Sequence, residues 1–262
     1  MQRDYWYKQS SSEPLFPDLL WSRPENRTHA GKLLVVGGNA MSFASPAEAY
    51  QEAVKAGAGT VRVLLPSSLQ KTVGRVFEAG EYAPSTPSGS FSQKALSELQ
   101  DMAAWADAVL LAGDFGRNSE TAVLLEKFIE KYNDQVSLCC DAVDYFLQNP
   151  LPVLDRDNTS LIVDMTQLQK LTVGAKFPTA FTSNMDFLHV IDTLHEFSRE
   201  HQANIVLIHE KSIFIAAEGE VSTTQFEALP SFTKVAAHAS VWWLQNQSET
   251  FKALTTAILE TK

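Results

Sequence analysis

An alternation that begins at Lys32 and continues to the end of the chain constrains the fold most: short runs rich in β-branched residues, each followed by a stretch of helical periodicity. Strands separated by helical stretches cannot close as tight hairpins, so they form βα units around a largely parallel sheet. Residues 32–36 read as the first strand. Residues 46–56 follow as a helix, with Ser45 as N-cap, Pro46 in the first position, and Gly57 and Gly59 at the end. Residues 60–65 are the next strand, stopped by Pro66. The stretch 80–92, rich in Ser, Pro and Gly, reads as a loop and 93–106 as a helix. A strand at 108–111, a turn at 113–117, a helix to Tyr132 and a buried strand at 136–140 continue the pattern. Strands at 161–163 and 205–208 are separated by a long helix over 184–201. Residues 213–216 and 220–223 flank Glu218 and Gly219 as an antiparallel hairpin, and helices over 230–244 and 249–260 follow. The expected architecture is one α/β domain over residues 29–262, preceded by an arm at 1–28. That arm carries Tyr5, Trp6, Tyr7, Phe16 and Trp21 among Ser and Pro, a composition suited to lying on another surface rather than folding alone.

Length and composition agree with one domain, because 262 residues with 45% apolar side chains can bury a large core. No apolar run is long enough to span a bilayer, and residues 1–28 lack a charged start followed by an apolar core, so the expectation is a soluble, cytoplasmic protein. The net charge is -10 with Lys and Arg dispersed, which argues against nucleic-acid and anionic-membrane partners. The two cysteines, Cys139 and Cys140, are adjacent in an apolar run and suit reduced core side chains better than a disulfide framework. No residue pattern calls for a metal ligand set.

Ligands of a parallel α/β sheet gather at the carboxyl ends of its strands, and three loops there carry informative residues. The first is Gly37, Gly38, Asn39, Ala40 and Met41, where paired glycines allow close backbone approach and the following helix could aim amides at an anion. A tight structural turn explains the same residues, since the spacing is neither a dinucleotide fingerprint nor a P-loop. The second is Gly113, Asp114, Phe115, Gly116 and Arg117, an anion nest or simply a helix entry capped by Asn118 or Ser119; Asp114 would oppose phosphate and suit a hydroxyl. The third is Asp141 with Asp144, either an acid–base or Mg²⁺ pair or, in the favoured reading, the N-cap of a short helix reaching Leu147. His189, His195 and Asp192 do not form a recognised metal motif, and His201 ends a helix where a cation is favoured. Trp242 and Trp243 read as core or as a subunit interface.

Taken in order, these segments resemble the ADP-dependent NAD(P)H-hydrate dehydratases of the ribokinase-like superfamily, the YjeF C-terminal-domain type. Arg23-Pro24 through His29-x-Gly31 and on to Gly38 is similar to that family's R-P-x-x-x-x-H-K-G entry and first strand. Lys55-Ala56-Gly57-Ala58-Gly59-Thr60-Val61 resembles its R-x-G-A-G-L-V passage, the most specific match. Residues 112–117 look like a variant of G-P-G-L-G-R, and Asp141-Ala142-x-Asp144 like D-A-D-A-L. The resemblance implies a ribokinase-like three-layer α/β/α fold, an ADP or ATP cofactor with Mg²⁺, and assembly as a homo-oligomer, in the family often a tetramer. It places substrate contacts at Gly38, Asn39, Ala40, Gly113, Asp114, Phe115 and Gly116, and nucleotide contacts at His209, Lys211, Ser231 and Phe232.

The chain departs from the family where the chemistry resides. The glycine-rich nucleotide loop corresponds to residues 222–233, which contain no glycine, and the catalytic Asp that ends it corresponds to Thr233, which cannot accept a proton near neutral pH. No catalytic residue of the family is intact. The L-K-G-x-x-T stretch is replaced by residues 208–213, where His209 or Lys211 stands in for the lost cation, and the T-P-H-x-G-E stretch by 163–168. Glycine is sparse, 12 of 262 residues, against about 7% in average proteins. The resulting expectation is a diverged relative that binds a nucleotide-type metabolite, with the family reaction weakened or lost. The alternatives are an active hydro-lyase whose base has moved to Asp144, Asp164 or Glu227, and a small-molecule kinase of the same superfamily.

Overall fold

The computed structural model describes residues 3–10, 13–21, 23–74 and 77–261. Met1, Gln2, Ser11, Ser12 and Ser22 of the expected arm, together with Arg75, Val76 and Lys262, lie outside the described residues. The strands are β1 (Trp6–Gln9), β2 (Lys32–Gly37), β3 (Thr60–Pro66), β4 (Gly80–Ala83), β5 (Ala108–Gly113), β6 (Gln135–Cys139), β7 (Thr159–Val163), β8 (Asn204–His209), β9 (Ser212–Ala217) and β10 (Glu220–Gln225). They form one sheet in the order β1-β10-β9-β8-β7-β6-β5-β2-β3-β4. Every neighbouring pair is parallel except β8–β9 and β9–β10, the late antiparallel hairpin. The central strands are buried on both faces, which is why β5 (Ala-Val-Leu-Leu-Ala-Gly) reads as a continuous apolar run rather than an alternating one.

The helices are α1 (Pro17–Trp21), α2 (Ala44–Lys55), α3 (Gln70–Val73), α4 (Leu96–Trp105), α5 (Ser119–Lys131), α6 (Asp141–Asp144), α7 (Leu151–Leu154), α8 (Met165–Gly174), α9 (Phe187–Glu200), α10 (Phe232–Gln245) and α11 (Thr250–Ala257). Successive strand residues point to opposite faces, so the sheet builds two cores. Leu34, Val36, Val109 and Leu111 meet α4, α5, α8 and α9 on one side. Leu33, Val35, Leu110 and Cys139 meet α2, α10 and α11 on the other. The result is the three-layer α/β/α architecture with a mainly parallel sheet.

Local signals account for many element ends. Helix α2 stops in a Schellman arrangement, with Gly57 at φ 89° and the amides of Gly57 and Ala58 returning to Val54 and Ala53. Asn118 caps α5 by accepting from the Glu120 and Thr121 amides. Ser45, expected as the cap of α2, is instead inside the helix. The cap position, two residues earlier, is Phe43, which has no capping side chain, and the Ser45 amide donates to Asp114 from another loop at 2.8 Å. A carboxylate brought by tertiary structure replaces the local cap, favoured by the positive end of the helix. Residues 80–92, expected to be loop throughout, contain the edge strand β4, and residues expected to lead from β7 directly to a long helix hold α8 as well. Trp242 and Trp243 are 0% and 3% exposed, so they are core and not an interface.

The arm is tied down by side chains rather than by an apolar core of its own. Strand β1 pairs with β10, Arg3 and Tyr5 bind Asp192, Tyr5 stacks on His195 at 3.7 Å, and Gln9 reaches Thr224 and the Thr255 carbonyl. Arg3 holds the Asp192 carboxyl down at about 2, with the Tyr5 hydroxyl acting in the same direction against partial burial.

Candidate functional site

The loops after β2, β5 and β6 converge at the carboxyl end of the sheet and are laced together by hydrogen bonds. The Gly38 amide donates to the Gly113 carbonyl, the Asn39 amide to Ser42, the Ala40 amide to Gly89 and the Met41 amide to the Asn39 side chain. The Asn39 amide group also reaches the Asp114 carbonyl at 2.6 Å. Asp114 Oδ2 accepts from Ser42 Oγ at 2.9 Å as well as from the Ser45 amide. The amides expected to meet an anion in the first loop are therefore already committed to protein partners. Close backbone approach is nonetheless real: a Cβ on Gly37 would stand 2.3 Å from the Gly113 carbonyl oxygen.

The second loop has a comparable internal occupant. The amides of Phe115 and Gly116 both donate to the carboxylate of Asp141, at 3.2 and 2.9 Å. Asp141 is thus not the helix cap favoured from sequence; Cys140 occupies that position without a capping side chain, and the Asp141 carboxylate fills the nest of the neighbouring loop. Burial raises the Asp141 pKa, the two backbone donors oppose that rise, and Asp114 and Asp144 reinforce it. Asp144 is exposed and accepts from Gln167 Nε2 at 2.9 Å. Phe115 is fully buried against Phe91 and Tyr145 and supports the loop from below. Tyr145 donates to the Gly116 carbonyl.

Beside this knot a cleft of about 650 Å³ opens, lined by Asp141, Asp144, Tyr145 and Leu147 and flanked by Arg117 and Lys170. Neither cation has an ion-pair partner among the described residues. Gly116 lines the cleft directly. Sequence alone did not point to Lys170, because α8, which carries it, was not expected; the capping box of Asp164 and Gln167 that starts α8 is the signal that could have located it.

The segment leading to α10 is built differently. Ser231 accepts from the Lys234 amide and donates to Glu48 Oε1 at 2.7 Å, which sets a carboxylate at the amino end of α10. Thr233 is 4% exposed and its hydroxyl lies 3.7 Å from Cys140 Sγ. Phe232 packs against the core on the α10 side of the sheet. Lys211 sits exposed at the β8–β9 turn and its carbonyl accepts from the Phe226 amide; His209, at the end of β8, lies 3.9 Å from Glu210. Of the carboxylates that could replace the missing base, Asp164 is spent on its capping box, Asp144 is bound to Gln167, and Glu227 is exposed. Glu48 thus presents a negative charge at the amino end of α10. Among the described residues, no group of three or more His, Cys, Asp or Glu side chains converges as a metal site, and no helix is long and apolar enough to cross a membrane.

No protein-family model matches the chain. Among solved structures, a ribokinase-like superfamily protein from Enterococcus faecalis superposes with a TM-score of 0.74 at 13% identity, covering 99% of this chain and 87% of that one. The chain has the ribokinase-like fold. An ADP/ATP-dependent NAD(P)H-hydrate dehydratase from Bacillus subtilis, co-crystallized with ATP and Mg²⁺, superposes with a TM-score of 0.62 at 12% identity over 94% of this chain and 86% of that one. In sequence, the chain is 28% identical over 186 residues to the bifunctional NAD(P)H-hydrate repair enzyme Nnr of Methanothermobacter thermautotrophicus, a match covering 68% of this chain and 33% of that enzyme. In sequence the chain is thus similar to one part of an NAD(P)H-hydrate repair enzyme, and in fold to ribokinase-like structures that include an NAD(P)H-hydrate dehydratase. It spans about a third of the length of the repair enzyme it matches.

Proposed function

We propose that the chain binds a phosphate-bearing, nucleotide-type metabolite in the cleft beside residues 113–117, and that the hydrate-dehydratase reaction of its relatives is weakened or lost. The observation that carries this reading is the contrast between two unpaired cations, Arg117 and Lys170, flanking an open cleft and a buried Thr233 where the relatives' base is expected. Arg117 and Lys170 would take phosphate oxygens, while Asp144 and the Tyr145 hydroxyl offer groups for sugar hydroxyls. Gly116 borders this cleft, whereas Gly38, Asn39, Ala40, Gly113, Asp114 and Phe115 shape it by holding the loops in register. His209, Lys211, Ser231 and Phe232 then serve the fold of the α10 side, and ADP or ATP with Mg²⁺ is not used in the manner of the Bacillus enzyme. Assembly as a homo-oligomer belongs to the same proposal, with Trp21, 88% exposed, as the apolar surface of the arm available for it.

The test is thermal stability of the whole chain with ADP, ATP or NADPH, each with and without Mg²⁺, because a ligand at 100 times its Kd stabilises by about 2.7 kcal/mol. A shift with one of them that disappears in the Arg117→Ala/Lys170→Ala double variant is the expected result. No shift with any nucleotide would sink the ligand reading. Turnover of hydrated NADPH with ADP or ATP would overturn the loss of the reaction, whichever way the binding result falls.

A further inference from the structure

Strand β6 ends in the two cysteines, and the backbone there breaks the alternation of a strand. Val136 and Leu138 point to the α5 side of the sheet, and Cys139 to the α10 side. A continued strand would send the Cys140 side chain back to the α5 side. Instead Cys140 adopts φ 55° and ψ -135° and packs, like Cys139, on the α10 side. Positive φ is uncommon for a residue with a side chain. Both sulfurs face the same stretch of β5: Cys139 Sγ donates to the Ala112 carbonyl at 3.4 Å, and a Cβ built on Gly113 would lie 3.6 Å from Cys140 Sγ.

The two thiols are unequal. Cys139 is completely buried, whereas Cys140 is partly exposed. Cys139 is pushed well above the ordinary thiol range, chiefly by the neighbouring Cys140 thiol and by burial, while the neighbouring Cys139 thiol and the Thr233 hydroxyl hold Cys140 below that range against burial. An accessible, more acidic thiol attacks disulfides, and a protected thiol on the adjacent residue can resolve the mixed disulfide that results.

We propose that Cys139 and Cys140 form a thiol–disulfide site that reacts with small-molecule disulfides and closes to an intramolecular bond between adjacent residues. In the first step the Cys140 thiolate attacks one sulfur of the disulfide R–S–S–R, forming Cys140–S–S–R and releasing RS⁻. Cys139 then loses its proton and attacks Cys140 Sγ, and the second RS⁻ leaves. Two protein thiols are oxidised and one disulfide is reduced to two thiols. Closure takes Cys140 Sγ away from Thr233 and from its seat against Gly113, so the site is coupled to the loop that borders the cleft. This inference is independent of what the cleft binds.

The chain has only these two cysteines, so intact mass identifies the product. The reduced, folded chain is incubated with oxidised glutathione and its mass is followed with time. The expected product is a monomer lighter by two hydrogens, with no glutathione retained at the end point. Cys139→Ala is expected to stop at a stable glutathione adduct, and Cys140→Ser to react only after unfolding in denaturant. A wild-type chain that keeps the adduct, forms dimers, or reacts only after unfolding overturns the proposal. The wild-type result decides the matter even if Cys139→Ala does not fold.

Discussion

Two loop systems at the carboxyl end of one sheet have met the same electrostatic problem and ended differently. In both, positive backbone ends are answered by the protein's own carboxylates: Asp114 on the start of α2, Asp141 on the amides of residues 115 and 116, and Glu48 beside Ser231 at the start of α10. The first system keeps its glycines, and its carboxylates lace three loops into a rigid wall for a cleft with free cations at its flanks. The second has side chains throughout, and Thr233 is packed into the core against Cys140. Internal occupancy therefore does not by itself close the space beside a loop. The two systems differ in whether a cavity and unpaired charge remain beside the occupied loop.

The comparison can be broken most severely at Gly113. With φ 102° and a would-be Cβ 2.7 Å from the Cys140 Cβ, Gly113→Ala combines backbone strain with overpacking, each about 1–3 kcal/mol. Denaturant unfolding is expected to show a loss of roughly 2–5 kcal/mol. Asp141→Ala comes next. It leaves two backbone donors unanswered, and a loss of about 1–3 kcal/mol with faster amide exchange at residues 115 and 116 is expected. If exchange there is unchanged, the carboxylate is not what holds the wall.

On the other side, Ser231→Ala removes the α10 cap and its bond to Glu48, with an expected cost of about 0.5–2 kcal/mol and no effect on nucleotide-induced stabilisation. A variant that loses ligand binding along with the cap would tie the second system to the cleft.

The smallest effect is one of pH, and its sign separates two carboxylates. Asp141 has a folded pKa raised above its ordinary 3.8, so the wild type should lose stability relative to Asp141→Asn as pH rises through that raised value. Asp192 on the arm contact is lowered from 3.8 to about 2, so its contribution is present above 3.8 and lost as pH falls toward 2. Chemical denaturation of wild type against Asp141→Asn above pH 3.8, and against Asp192→Asn between pH 2 and 3.8, should give slopes of opposite sign. Parallel slopes would contradict the assigned environments.

Much of the site was legible because it lies in local patterns. The loops at residues 37–41 and 113–117 were recognisable from glycines directly after apolar strands, and the altered segment at 222–233 from the absence of glycine. Lys170 escaped notice because its helix was not expected, and the duties of Asp114 and Asp141 did so because each binds amides on a different loop, 69 and 25 residues away in sequence for the closest contacts. A short acidic pair after a strand looks the same whether it caps its own helix or fills a neighbour's nest. Likewise two adjacent cysteines in an apolar run read as core until the φ of Cys140 turns both to one face.

By itself the sequence determined the succession of βα units, the late hairpin and the two-faced burial of the central strands. These depend on side-chain periodicity and residue identity, which act over a few positions. Only the tertiary structure decided that β1 would complete the sheet beside β10, that β4 would form an edge, that Trp242 and Trp243 would be core, and which backbone amides each carboxylate would bind. Those outcomes rest on pairings between distant segments, whose free energy exists only once the sheet has brought them together.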